Sequence, residues 1–253
     1  MSIARAGDGG AQGPAPREGM TRLLKENRTA LHQGGGSCLV PLARGLQAYF
    51  FDTLASTNET AKQLVLSRQL IGRGYVAARE QTAGRGQRGR SWSSPRDAGI
   101  YLSVVDRPQD PPTDLTVYTL AAGVACVEAV RKVAGVTPSL KPINDLYVNG
   151  RKLGGILTEA VIEQGRVSAL VTGIGINLRR VDHAIDDAQA TPISLQDLLP
   201  AGQFAYLDRM ALIHAVAQGV LGWNTRVSTS GGDFVREAWH RYRTGAGVIA
   251  APS

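Results

Sequence analysis

Asn144-Asp145-Leu146-Tyr147-Val148-Asn149-Gly150-Arg151-Lys152 is an apolar run, an Asn-Gly pair and the start of a second run. Asn-Gly between two such runs is the strongest short signal of a two-residue hairpin, because both central residues must take positive φ. The chain then returns as a strand from Lys152 to Val161. Gln164-Gly165 makes a second turn, and 167–178 is a further strand holding Gly173-Ile174-Gly175-Ile176-Asn177. Residues 145–178 therefore read as a three-stranded antiparallel meander. Asn144, Asp145, Lys152 and Asn177 sit at its edges and turns. Gly154, Gly155, Gly173 and Gly175 sit inside it. Glycine within a strand marks either a bulge or close crossing, or a ligand approaching the backbone. The spacing leaves both open.

Upstream, 46–51, 75–80 and 100–105 alternate like strands. Ser56 and Glu59 have capping-box spacing and open a helix running toward Gly72. Ser56 is then first of all an N-cap, although a polar ligand can share the free N–H groups there. Thr113 or Asp114 caps a second helix that Gly135 stops. Downstream, 178–200 breaks into a loop with Asp182, Asp186 and Asp187. Helices follow at about 206–223 and at 233–242, then a short Gly/Ala tail. Residues 1–45 are glycine-rich punctuation with at most a short helix near 21–31. That composition predicts a flexible tail, with order beginning at Leu46.

Between two of the strands lies Gln81-Thr82-Ala83-Gly84-Arg85-Gly86-Gln87-Arg88-Gly89-Arg90-Ser91-Trp92. Glycine lets amide N–H groups come close to a ligand, and arginine presents a permanently charged fork to carboxylate or phosphate oxygens. Three readings fit: a solvated loop, a strip on nucleic acid, or a site for a small anion. Arg85, Arg88 and Arg90 repel one another until an anion arrives. This predicts a loop that is mobile in the free protein and ordered by its ligand.

The chain has 253 residues, is 43% hydrophobic and 19% charged, and carries a formal net charge of +7. It can bury a real core, and the basic excess favours anionic partners. The excess is local: Arg79, Arg85, Arg88, Arg90 and Arg96 oppose only Glu80 in that segment. Cys38 and Cys126 read as thiols, and the four histidines lack metal-ligand spacing. No apolar run reaches a membrane span of roughly 20 residues, and the N-terminus has no signal-peptide core. A cytoplasmic location is expected. No helix-turn-helix pattern is present, and one aromatic in a basic loop is poor material for single-strand binding.

Ser56-Thr57-Asn58, the Gly84-to-Arg90 loop with Trp92, Lys141 with Asn144-Asp145, the Lys152-to-Leu157 strand and the Gly173-to-Asn177 strand occur in this order. Together they resemble the motifs of the biotin protein ligase family over about 46–245. The resemblance implies an α+β fold: a mixed, largely antiparallel sheet flanked by helices, related to class II aminoacyl-tRNA synthetases. It places a catalytic domain at 46–253. It implies that biotin and MgATP give biotinyl-AMP, and that a lysine of a biotin carboxyl carrier protein or domain then takes the biotin. A monomer or homodimer is expected, with no nucleic-acid partner and no membrane partner.

On this resemblance Lys152, Arg88, Arg90 and Asp145 are the catalytic candidates, with Asp145 orienting or deprotonating the incoming amine. Ser56, Thr57, Gln81, Gly84, Arg85, Gly86, Gln87, Trp92, Lys152 and Gly155 are candidates for biotin. Arg88, Arg90, Asn144, Lys152 and Asn177 are candidates for the nucleotide, with Mg2+ as part of the substrate and no protein-held metal. Three departures accompany the resemblance. Pro142-Ile143 stands where the family has Trp-Pro. Gln87 stands where an arginine is common. The sequence ends at Ser253, where many relatives continue into a small β-barrel. A lipoate-type ligase on the same fold and a non-enzymatic binder of biotin or biotinyl-AMP are the alternatives.

Overall fold

The structure, a computed structural model, describes residues 38–41, 45–109, 114–180 and 191–244. The expected helix near 21–31, the Thr113 cap, Asp182, Asp186, Asp187 and the terminal tail lie outside the described residues. So does the expected 1–45 tail, apart from 38–41 and Gly45.

The strands are β1 (Cys38–Pro41), β2 (Gln47–Leu54), β3 (Gly74–Gln81), β4 (Gly99–Asp106), β5 (Ser139–Lys141), β6 (Asp145–Val148), β7 (Arg151–Glu163) and β8 (Arg166–Asn177). The helices are α1 (Thr57–Leu66), α2 (Thr116–Ala134), α3 (Leu195–Leu198), α4 (Ala201–Ala205), α5 (Arg209–Ser230) and α6 (Gly232–Tyr242). All eight strands form one sheet in the order β1-β2-β3-β4-β8-β7-β6-β5. Only β2 and β3 run parallel, joined through α1; the other neighbours are antiparallel. This is the α+β architecture expected, with one correction. Order begins at β1, which pairs Cys38 with Phe50 and Pro41 with Gln47. Its run of four residues is too short to stand out among glycines.

Two turns decide the meander. Asn149 and Gly150 have φ of 51° and 72°, and Gln164 and Gly165 have 51° and 76°. Positive φ at both central positions matches the twist of the flanking strands. Every residue of β4 is buried, so this strand is covered on both faces. Ile100, Leu102 and Val104 pack in the large cluster with Val124, Val127, Val216 and Val220 of α2 and α5. Val105 packs in the smaller cluster with Val76 and with Ala61 and Val65 of α1. Ser103 lies on that second face. Helix α2 starts with the Asp114 carboxylate accepting from the Thr116 N–H at 2.9 Å. It ends at Gly135, φ 71°, whose N–H reaches the Arg131 carbonyl. Helix α5 runs past the expected end at 223 because Asn224 and Val227 are buried, and it stops only at Gly231, φ 80°. Cys126 is fully buried in α2, and burial pushes its thiol up to about 12. It is a packing residue.

The segment after the arginine loop is tied to β2 and β3 by charge. Arg79 pairs with Asp97 and with Asp52, and Arg96 pairs with Asp52 and Glu80. The Arg79 hydrogen bond holds Asp97 below the usual carboxylate range, and the Arg96 hydrogen bond does the same for Asp52. A carboxylate with a depressed folded pKa contributes stability above its unfolded value, near 3.9. That contribution is lost as pH falls through the folded value. Thermal unfolding between about pH 7 and pH 3 should therefore show a midpoint that drops at the acid end. Arg79→Met should be less stable near neutrality and lose less on acidification; parallel curves for the two proteins would contradict this.

Candidate active site

A cleft opens where the end of β3, the start of α1, the arginine loop and the meander meet. It encloses about 670 Å³, part of it open to solvent. Ser56 has N-cap geometry, φ −155°, but its side chain makes no cap hydrogen bond. Gln81 takes that part. Its Oε1 accepts from the Thr57 N–H at 2.8 Å and the Thr57 hydroxyl at 3.1 Å. Its Nε2 donates to Ser94 Oγ at 2.8 Å. The capping box read from spacing is thus absent: Glu59 turns instead to Lys62 and Arg85. Ser56, 3% exposed, lines the cleft.

The loop is a narrow hairpin. The Gly86 N–H donates to the Arg90 carbonyl at 2.7 Å, and the Trp92 N–H to the Gly84 carbonyl at 2.9 Å. A Cβ on Gly84 would lie 2.3 Å from the Trp92 carbonyl oxygen, so that residue must be glycine. Gly84 lies behind the cleft and does not line it. Arg88 stands at the exposed tip with φ 58° and also does not line it. Arg85, Gly86, Gln87 and Arg90 do. Arg85 has an acidic partner outside the loop. Its Nη1 lies 2.6 Å from Glu59 Oε1.

Trp92 packs against two glycines that face each other across the meander, Gly155 and Gly175. A Cβ would come within 3.3 Å of the indole at Gly155 and 2.4 Å at Gly175. These two glycines provide close approach, and what approaches is a side chain of the protein. Lys152, 6% exposed, places Nζ 5.7 Å from the Trp92 ring centroid and 2.9 Å from Asp145 Oδ1. Its backbone is clamped: its N–H donates to the Thr191 carbonyl at 2.8 Å, and its carbonyl accepts from the Ile193 N–H at 2.9 Å. Asn177 donates to the Ile193 carbonyl at 3.1 Å and weakly to the Lys152 carbonyl at 3.4 Å. It braces this strand and does not line the cleft. Asn144 lines it and donates to the Ile156 carbonyl at 3.0 Å. Ile143, in the Pro142-Ile143 pair, is 46% exposed and outside the lining.

Three residues were missed by reading roles from motifs. Asn58, 3% exposed, lines the cleft floor, and its Nδ2 donates to Glu159 Oε2 at 2.7 Å and to the Leu157 carbonyl at 3.3 Å. Gly173 leaves room for it, since a Cβ there would sit 2.4 Å from Asn58 Oδ1. Ser103, fully buried, lies 2.6 Å from Asn58 Oδ1 and 2.8 Å from Thr57 Oγ1. The signal was a serine in a strand whose other side chains are mostly apolar. Glu159 stands behind Asn58 and is salt-bridged to Lys62 at 2.6 Å. The cleft thus joins a cationic rim, an aromatic wall and a polar floor, which suits a ligand with an anionic end and a hydrogen-bonding head.

The chain belongs to the biotin/lipoate A/B protein ligase family, whose model matches residues 50–177. It is 32% identical over 204 residues to the bifunctional ligase/repressor BirA of Bacillus subtilis, covering 81% of this chain and 62% of that one. It is 33% identical over 206 residues to the biotin–[acetyl-CoA-carboxylase] ligase of Paracoccus denitrificans, covering 78% and 83% of the two chains. The fold matches the biotin protein ligase of Aquifex aeolicus in complex with biotin and ATP, with a TM-score of 0.64, 22% identity and 78% of each chain covered. The chain spans about 62% of the length of the two Bacillus relatives. Among the described residues, no helix is long and apolar enough to cross a membrane.

Proposed function

We propose that this chain is a biotin protein ligase. It activates biotin with MgATP and passes it to a lysine of a biotin carboxyl carrier protein or domain. The names of its relatives support this, and one observation in the cleft carries it. Gln81 Oε1 is an acceptor only, so the Thr57 hydroxyl gives its proton there. Asn58 turns its N–H groups to Glu159 and Leu157, so its Oδ1 can only accept. Ser103 then has one proton for two acceptors, Thr57 Oγ1 and Asn58 Oδ1. One buried acceptor in the floor is left asking for a donor, and an unmatched buried acceptor is costly. The ureido ring of biotin brings N–H donors. The dithiolane ring of lipoate brings none.

In the first step a biotin carboxylate oxygen attacks the α-phosphorus of ATP, and the bond to the β-phosphate breaks. Pyrophosphate leaves with Mg2+. Negative charge gathers at one point, and Lys152, Arg85 and Arg90 line the space around it. Fixed cations in a partly dry cleft stabilise that charge without reorganising. Trp92 walls the apolar ring and chain of the substrate. In the second step the carrier amine attacks the acyl carbon and AMP leaves. Once phosphate oxygens draw off Lys152, Asp145 is free to accept the amine proton.

The test is pyrophosphate release from MgATP by the full chain, with biotin or lipoate as the acid, followed by labelling of a carrier lysine. Release with biotin and none with lipoate is expected. Binding of biotin without release would indicate a sensor, and equal release with lipoate would indicate the sister activity. Either result overturns the proposal.

A further inference from the structure

Glu159 does not line the cleft, yet it touches the Asn58 amide on the cleft floor. We infer that Glu159 sets the hydrogen-bond polarity of that floor, and with it the demand for a ligand N–H donor. The inference rests on the biotin reading above and names the residue behind its specificity. An ionised carboxylate only accepts, so Asn58 must turn Nδ2 toward Glu159 Oε2, which lies 2.7 Å away. That leaves Asn58 Oδ1 facing Ser103, 2.6 Å away. Lys62, a donor only, holds the other carboxylate oxygen at 2.6 Å and is itself anchored by Glu59 at 2.9 Å. Glu159 is therefore a positioning residue acting through Asn58.

The arrangement makes Glu159→Gln informative. The new amide must turn its oxygen to Lys62, because Lys62 cannot accept. Its NH2 group then faces the NH2 group of Asn58, two donors in opposition. Asn58 relieves this by turning over, giving up its long 3.3 Å bond to the Leu157 carbonyl, so that Oδ1 accepts from the new amide and Nδ2 points at Ser103. Ser103 now accepts from Asn58 and keeps its proton for Thr57. The floor has no acceptor left over, and an incoming N–H meets a donor where it met an oxygen. Removing Lys62 as well frees the new amide to turn its oxygen back toward Asn58, which restores the original polarity. A role confined to stability has no reason to show such a recovery.

The experiment measures biotin affinity by calorimetry for the wild-type chain, Glu159→Gln, Lys62→Met and the double variant. Affinity for a non-hydrolysable ATP analogue is the control. Glu159→Gln is expected to weaken biotin about tenfold, the scale of one mismatched buried hydrogen bond, with nucleotide affinity unchanged. Lys62→Met should bind biotin as the parent does, and the double variant should regain most of the loss. If Glu159→Gln fails to fold, the comparison passes to the double variant against Lys62→Met, whose affinities should agree. Parent-like binding by Glu159→Gln, or a double variant clearly weaker than Lys62→Met, overturns the inference while leaving the biotin reading intact. A wild-type chain that does not bind biotin overturns both.

Discussion

Lys152→Ala loses about 10²–10³ in the rate of biotin-dependent pyrophosphate release, the usual effect of deleting one preorganised charge from a partly dry site. The geometry singles out this cation. Arg85 and Arg90 sit on a hairpin loop, but Lys152 stands on a strand whose backbone is bonded on both sides. Its ammonium is 2.9 Å from Asp145, and the two side chains are 7% and 12% exposed. That pairing adds a second effect. Removing one member of a buried ion pair leaves the other uncompensated and destabilises by about 3 kcal/mol or more. Lys152→Ala should therefore also unfold at a lower temperature, which alone would confuse the kinetic reading. Adding Asp145→Asn removes the orphaned charge. The double variant should regain most of the thermal midpoint and none of the adenylation rate. A folded Lys152→Ala protein with parental pyrophosphate release would rule out the role assigned to Lys152.

What the sequence disclosed and what it hid divide by the range of the interactions. The meander was legible because its turns are local. Asn149-Gly150 and Gln164-Gly165 dictate two hairpins whatever lies around them. The helix stop at Gly135 is local in the same sense. Ser56 misled because its capping spacing is local while its real competitor is not: Gln81, the group that takes the Thr57 N–H, is 24 residues away. Glu59 fits a capping box equally well, but a loop arginine and Lys62 claim its carboxylate. The arginines of the loop looked alike in composition. Only the turn at Arg88, with its positive φ, separates the exposed tip from the cationic rim. The meander glycines were open between a bulge or crossing and the approach of a ligand, and the structure gives a third answer at Gly155, Gly173 and Gly175, where the side chains of Trp92 and Asn58 come close. Ser103 and Glu159 belong to no motif quoted from the sequence, because their roles exist only once β4, β7 and α1 face one another.

Gly175→Val should weaken biotin binding on the order of a hundredfold, the scale of overpacking a tight contact. A Cβ at that position would lie 2.4 Å from Trp92 Cε2 and 2.5 Å from Nε1, separations that side-chain atoms do not tolerate. The atoms met are the rigid core of an indole, so no small rotation of a flexible end relieves the clash. Either Trp92 lifts off the sheet into the cleft, or β8 moves away from its partners. Lifting is the easier course, because β8 is hydrogen-bonded along its length to both β4 and β7. The cleft then fills with its own aromatic wall. Gly155→Ala is the control on the facing strand. There the nearest indole atom would be 3.3 Å away, a distance that a small shift of the ring absorbs, so biotin affinity should change by less than about threefold, within one kcal/mol. Calorimetry with biotin reads both variants, and tryptophan emission of the free proteins should shift to the red in Gly175→Val alone. Equal losses in the two variants would mean that the wall is not held by the Gly175 notch. Parent-like affinity in Gly175→Val would mean that Trp92 does not border the biotin site at all.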